Sequence, residues 1–146
     1  MKGWGAGCAL AFSICLLTPG PLLAQIFVGD QIVASLSGLP GDAAQGRALV
    51  VSRQEGLCIL CHSGPFPEER FQGTLAPDLV LSSARLSPAQ LRARIVDASR
   101  FNPDTIMPSY FRTQGLTRVA PQFAGKTILT AQDIEDVVAF LVSLKP

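Results

Sequence analysis

Cys58-Ile59-Leu60-Cys61-His62 is a C-x-x-C-H run, and its reading organises the rest of the chain. On a helical turn, positions i and i+3 present two sulfurs on one face, where each can add to a vinyl group of a haem. The adjacent histidine then reaches the iron through Nε2 from the same side. Three other chemistries compete for these residues. A thioredoxin-like redox pair wants a βαβ setting, and none is legible around the motif. A structural zinc ion takes four protein ligands, and two cysteines with one histidine fall short. A plain disulfide leaves the histidine without a purpose. The motif therefore predicts one covalently bound haem c, anchored through Cys58 and Cys61, with His62 on its iron.

The stretch upstream places these thiols in an exported protein. The chain has 146 residues, enough for one domain. Residues 1–24 read as a secretory signal peptide, with Lys2 as the positive end and Cys8–Leu17 (CALAFSICLL) as the apolar stretch. Thr18-Pro19-Gly20-Pro21 breaks any helix, and Leu22-Leu23-Ala24 ends on a small residue suited to cleavage. An apolar run this short and interrupted does not span about 30 Å of hydrocarbon, so no stable membrane insertion is expected. Cys8 lacks the preceding hydrophobic stretch that a lipoprotein would need. With the signal removed, Cys8 and Cys15 leave and only Cys58 and Cys61 remain. Of 12 basic and 11 acidic side chains only Lys2 precedes residue 25, so the charges beyond it balance. There is no basic stripe, and nucleic acid is not an expected partner.

Counting ligands narrows the far side of the ring. His62 is the only histidine, and Met107 is the only methionine after Met1. Met107 lies in Thr105-Ile106-Met107-Pro108, 46 residues after Cys61, a distance that suits a loop returning over the ring. A lone methionine commonly fills gaps in a core. Pro108 and the upstream Asn102-Pro103 stiffen this segment, which favours a ligand over a filler. Met107 is the expected second axial ligand; an open coordination position or Lys126 are the alternatives. A thioether ligand raises the haem potential and favours the ferrous state. On the other side, Ala76-Pro77-Asp78-Leu79 follows His62 at the distance where small cytochromes c place a proline. Carbonyls around Pro77 would take the second ring N–H of the histidine and fix its tautomer. Leu79 would pack on the ring. An ordinary turn proline is the plainer reading of Pro77. Tyr110 and Phe111 either wall the pocket or flank an exposed haem edge.

The remainder predicts helices and long loops. Residues 25–41 form an N-terminal leader without clear period, and residues 42–146 form the cytochrome c domain. Asp42 caps a first helix over 43–51, in which Gly46 permits close approach of another helix. Ser87 caps a second, with Pro88 at its first position and Leu91, Ile95 and Ala98 on its apolar face. Arg92 and Arg94 are expected in solvent. Thr130 opens the last helix, with Asp133, Glu135 and Asp136 near its positive end and Ile134, Val137, Val138 and Leu141 facing inward. Lys145 sits near its C-terminal end. No segment alternates convincingly with period two, so the expected fold class is all-α.

Several stretches together resemble the SoxX family, the monohaem cytochrome c subunits of SoxAX thiosulfate-oxidising complexes. They are Gly41-Asp42-Ala43-Ala44-Gln45-Gly46-Arg47, the haem motif, Ala76-Pro77-Asp78-Leu79, the run Asn102 to Tyr110, and Leu129 to Leu141. The haem motif alone would mark any c-type cytochrome; the methionine loop followed by this ending is far more specific. The resemblance implies a small class I-like cytochrome c fold wrapped around one haem, in the periplasm. It implies His62 and Met107 as iron ligands. It also implies an electron-accepting role in a heterodimeric L-cysteine S-thiosulfotransferase, which joins thiosulfate to a cysteine of a carrier protein. The partner would be a SoxA-type dihaem or monohaem cytochrome bearing the catalytic cysteine, and a soluble cytochrome c would lie downstream. No catalytic residue is expected in this chain, which keeps no other thiol and no free histidine. A free-standing periplasmic electron shuttle is the alternative.

Overall fold

The structure is a computed structural model that describes residues 27–145; the segment carrying the signal-peptide reading lies outside the described residues. Four helices form: α1 (Ala43–Val51), α2 (Leu79–Arg85), α3 (Pro88–Asp97) and α4 (Ala131–Ser143). The all-α expectation holds, with one difference in the leader. Strands β1 (Phe27–Val28) and β2 (Gln31–Ile32) make a short antiparallel hairpin, with Phe27 opposite Ile32. Ile32 is buried in the core while Val28 faces solvent, which is the alternation that pays for the pairing.

Local capping chemistry places the helix starts. The Asp42 carboxylate accepts from the N–H groups of Ala44 and Gln45 at 2.7 and 3.2 Å, satisfying donors that the first turn leaves open. Ser87 and Gln90 exchange side-chain-to-backbone bonds at the start of α3, with Pro88 at the first helical position. Thr130 and Asp133 do the same for α4. The helix α2 went unforeseen. Asp78 caps it through the Val80 N–H at 2.8 Å, directly after the proline turn.

The central contact is α1 crossing α4, made possible by glycine. A Cβ on Gly46 would lie 1.9 Å from the Asp136 carbonyl oxygen, and one on Gly41 would lie 2.0 Å from that of Glu135. Around this crossing, Val50, Ile59, Phe66, Val96, Ile134 and Val137 form a core with almost no solvent exposure. Phe66 packs on Phe140 with ring centroids 5.9 Å apart, a tilted pairing that aromatic quadrupoles favour.

Two expectations about charge are corrected. Arg92 does not lie in solvent: it is 8% exposed, and Nε and Nη2 each meet the Glu135 carboxylate at 2.7 Å. Its Nη1 donates to the Ile32 carbonyl at 2.8 Å, and the Leu36 N–H donates to Glu135 at 2.8 Å. A forked, fully bonded pair can be buried where a lone charge cannot, and this one ties the leader to α3 and α4. Nor do Glu135 and Asp136 serve as dipole charges on an open first turn. Both are buried, and Asp136 accepts from the Asp42 N–H and the Gln132 amide, each at 2.8 Å. Lys145 donates to the Leu86 carbonyl at 2.7 Å, closing the end of α4 on the turn between α2 and α3.

Candidate functional site

The segment between α1 and the C-x-x-C-H motif turns sharply, and its geometry sets the sulfurs. Gly56 is wedged against α1, where a Cβ would meet the Leu49 carbonyl oxygen at 2.2 Å. Leu57 then takes a left-handed conformation with φ of 61°, a strained choice for a branched side chain. It leads into a tight helical turn over Cys58–Leu60, closed by Cys61 N–H and His62 N–H donating to the Cys58 carbonyl at 3.1 and 2.9 Å. Neither cysteine is in a disulfide, and both line one cavity. The Cys58 thiol donates to the Gly56 carbonyl at 3.3 Å, and burial pushes its pKa up to about 11.

His62 is oriented by a single short contact. Its Nδ1 lies 2.6 Å from the Pro77 carbonyl oxygen. A carbonyl only accepts, so Nδ1 is the donor, and in the neutral imidazole Nε2 then keeps its lone pair. The Pro77 carbonyl is held there by ladder-like bonds from the loop: Ala76 N–H to the Cys61 carbonyl at 2.9 Å, and Leu79 N–H to the Ser63 carbonyl at 2.9 Å. Ser63 Oγ donates to Asp78 at 2.8 Å, so the cap of α2 also fixes the turn over the histidine. Leu79 follows, buried, and faces the cavity.

Met107 approaches from the loop after α3. It is half-buried and lines the same cavity as Cys58, Cys61 and His62, while Lys126 is exposed and does not. The two residues after Pro108 are anchored on different elements. Ser109 Oγ donates to the Asp97 carboxylate at 2.6 Å, and Ser99 Oγ donates to the same oxygen at 2.6 Å. Burial would raise the Asp97 pKa, but the hydroxyls of Ser109 and Ser99 and the Arg112 guanidinium at 3.4 Å outweigh it and hold the carboxyl below its ordinary value. Tyr110, 3% exposed, sends its hydroxyl to the Gly56 carbonyl at 2.7 Å, beside the Cys58 thiol. Burial, first, and the neighbouring Cys58 raise the pKa of the phenol, so it stays a donor. The methionine loop and the cysteine turn are thereby joined directly. Tyr110 walls the cavity; Phe111 packs against the core instead.

The cavity itself has a volume of about 590 Å³ and is walled mainly by apolar side chains, among them Val50, Leu57, Ile95, Leu129, Val137 and Leu141. Sequence reasoning brought Cys58, Cys61, His62, Pro77, Leu79 and Met107 forward, and all six line this one space. It missed Asp97 and Gly56 as supports of the two loops. Both act through partners 12 and 54 residues away, with no local signal. Among the described residues, no cluster of three or more His, Cys, Asp or Glu side chains could hold a bare metal ion, and no helix is long and apolar enough to cross a membrane.

No protein-family model matches the chain, and no curated protein matches it. Among solved structures it is similar to one described as the crystal structure of SoxXA from P. pantotrophus, at 37% identity and a TM-score of 0.75. The match covers 83% of this chain and 94% of that one.

Proposed function

The chain belongs to the SoxX-type cytochromes c, and from that membership we propose that it is the electron-accepting subunit of a SoxAX-type L-cysteine S-thiosulfotransferase. Its architecture is the small class I cytochrome c fold. The observation that carries the reading is the convergence of two unpaired thiols, one imidazole with a free Nε2 and one thioether on a single apolar cavity.

These residues fit a covalent haem c. The cavity volume lies within the range of cofactor pockets, and its apolar lining suits a flat macrocycle. Cys58 and Cys61 would hold the ring through thioethers, and His62 and Met107 would ligate its iron. Bound there, the haem supplies one-electron chemistry, with the thioether ligand favouring the reduced state. The protein's own groups do the rest. The Pro77 carbonyl keeps the His62 proton on Nδ1, so Nε2 stays directed to the metal and more basic. Asp97 and Tyr110 hold the methionine loop against α3 and the cysteine turn. Leu79 and its apolar neighbours keep water from the ring faces.

The same residues divide labour with a partner. Joining thiosulfate to a carrier-protein cysteine forms a sulfur–sulfur bond and releases two electrons and the thiol proton. Beyond Cys58 and Cys61 the domain has no thiol, and beyond His62 no histidine, to carry out that step. The nucleophile therefore belongs to a SoxA-type subunit, and this chain receives the electrons one at a time and passes them to a soluble cytochrome c. Export through residues 1–24 places it in the periplasm with that partner.

Co-expression with a SoxA-type subunit tests this directly. A stable heterodimer that conjugates thiosulfate is expected, and Met107→Ala in this chain should slow electron release without preventing assembly. A monomer that ignores SoxA yet exchanges electrons with several oxidoreductases would instead establish a free-standing shuttle.

A further inference from the structure

Beside the haem-site cavity lies a second space of about 410 Å³, and the lining residues they share fix a direction. His62, Pro77, Leu79, Ile95, Met107 and Leu141 line both spaces, whereas Cys58 and Cys61 line only the first. The second space therefore lies on the side of the site that the cysteines do not line. Its wall comes from α2 and α3 and includes Leu81, Ser82, Arg85 and Arg94. Arg85 and Arg94 are the only cations on either lining, and the one acid, Asp104, lies on the first.

Each arginine is placed differently. Arg94 is part-buried: it lies 4.9 Å from the Phe101 ring centroid, donates to the Gln90 carbonyl at 3.3 Å and approaches Asp30 at 3.7 Å. Those contacts engage Nη1 and Nη2 once each, and the remaining N–H groups of the fork are left to spare. Arg85 ends α2, is exposed, and forms no ion pair or side-chain hydrogen bond among the described residues. An exposed arginine that lines an apolar cavity and has no partner among the described residues needs an anion or water.

A haem carries its vinyl groups on one edge and its two propionates on the opposite edge. With the vinyls fixed at Cys58 and Cys61, the carboxylates would turn away from the cysteines, toward the side of the second space. We propose that Arg85 and Arg94 form the propionate-binding subsite, one guanidinium for each carboxylate, an assignment that rests on the haem reading above. Two forked donors facing two carboxylates match in charge and in geometry. The subsite also has a redox consequence. An opposite charge favours the ionised carboxylate, so both propionates stay charged in both oxidation states near neutral pH. Without the arginines, reduction removes one positive charge from the iron and makes the carboxylates more basic. Electron uptake would then bring a proton with it, and the potential would fall as pH rises.

The test is a spectroelectrochemical titration of the haem-loaded chain from about pH 5 to 8, in which carboxylates with raised pKa values titrate. Wild type, Arg85→Gln, Arg94→Gln and Arg100→Gln are compared. Arg100 is a charge control, stacked 4.3 Å from the Phe27 ring centroid and on neither lining. Arg85→Gln and Arg94→Gln should each shift the equilibrium at least about threefold toward the ferric form, where tenfold corresponds to 59 mV, and should introduce a falling potential with pH. Arg100→Gln should leave the profile flat. Should Arg94→Gln loosen the fold through Asp30 and Phe101, the exposed Arg85→Gln decides. Retained c-type haem absorption with all three variants alike would overturn the subsite alone. Absence of that absorption in the wild-type chain would overturn the haem reading, and the subsite with it.

Discussion

Gly46→Ala puts the packing account at risk, because helix propensity and tertiary structure predict opposite signs. In an open helix this change stabilises by about 1 kcal/mol, since glycine is the poorer helix former. Here the new Cβ would sit 1.9 Å from the Asp136 carbonyl oxygen, 2.4 Å from its carbon and 2.9 Å from the Val137 nitrogen. All three are backbone atoms of α4, so no side chain can rotate away. Relief requires α1 and α4 to separate by more than about an ångström, which loosens the close-packed core that Val50 on α1 shares with Ile134 and Val137 on α4. Overpacking of this kind costs about 3 kcal/mol, so after the propensity gain a net loss of about 2 kcal/mol remains. For a domain of this size that lowers Tm by roughly 8 °C. Thermal and urea unfolding, followed by far-ultraviolet circular dichroism with Gln45→Ala as a surface control, measures it. A Gly46→Ala protein as stable as wild type would refute the claim that the crossing depends on this glycine.

Three further outcomes follow from the buried polar groups. Glu135→Ala strands the Arg92 guanidinium and should cost about 3–5 kcal/mol in urea unfolding, whereas Arg92→Met with Glu135→Leu should recover much of that loss. Equal losses in the single and double variants would contradict the pairing. Because the folded pKa of Asp97 is lowered, its contribution is present above the ordinary carboxylate value of about 3.9 and is lost as pH falls through the folded value. Asp97→Asn should accordingly flatten the acid limb of a stability-against-pH curve, and an unchanged limb would show that the carboxylate is not coupled to folding. Tyr110→Phe removes the donor to Gly56 while keeping the ring, so unfolding should register a loss of about 1–2 kcal/mol; no loss would mean that water replaces the hydroxyl.

What could be read in the sequence was what local chemistry determines. Asp42, Ser87 and Thr130 each bond within their own first turn, so three of the four helix starts were legible from a few residues. The cysteine–histidine motif is likewise local. Gly46 was recognisable as a close-approach point because the last helix offered an apolar face to receive it. The helix α2 escaped notice because it is one short stretch, with Ser82 and Ser83 bonding back to the Asp78 and Val80 carbonyls and little apolar period to see. Arg92 was misread because its partner lies 43 residues away on another helix, and a charge on a helix face is solvated unless such a partner exists. The site divides along the same line. Its cavity-facing residues follow from counting one histidine and one methionine; the Asp97–Ser109 and Tyr110–Gly56 anchors exist only once the loops meet.

The central claim is that this cavity holds one covalent haem between His62 and Met107, and ferric absorption spectra of purified wild type, Met107→Ala and Lys126→Ala test it most directly. A c-type haemochrome is expected in all three, with the long-wavelength methionine-to-iron band present in wild type and Lys126→Ala and lost in Met107→Ala. A chain that matures without covalent haem, or a methionine band that survives Met107→Ala, would contradict it.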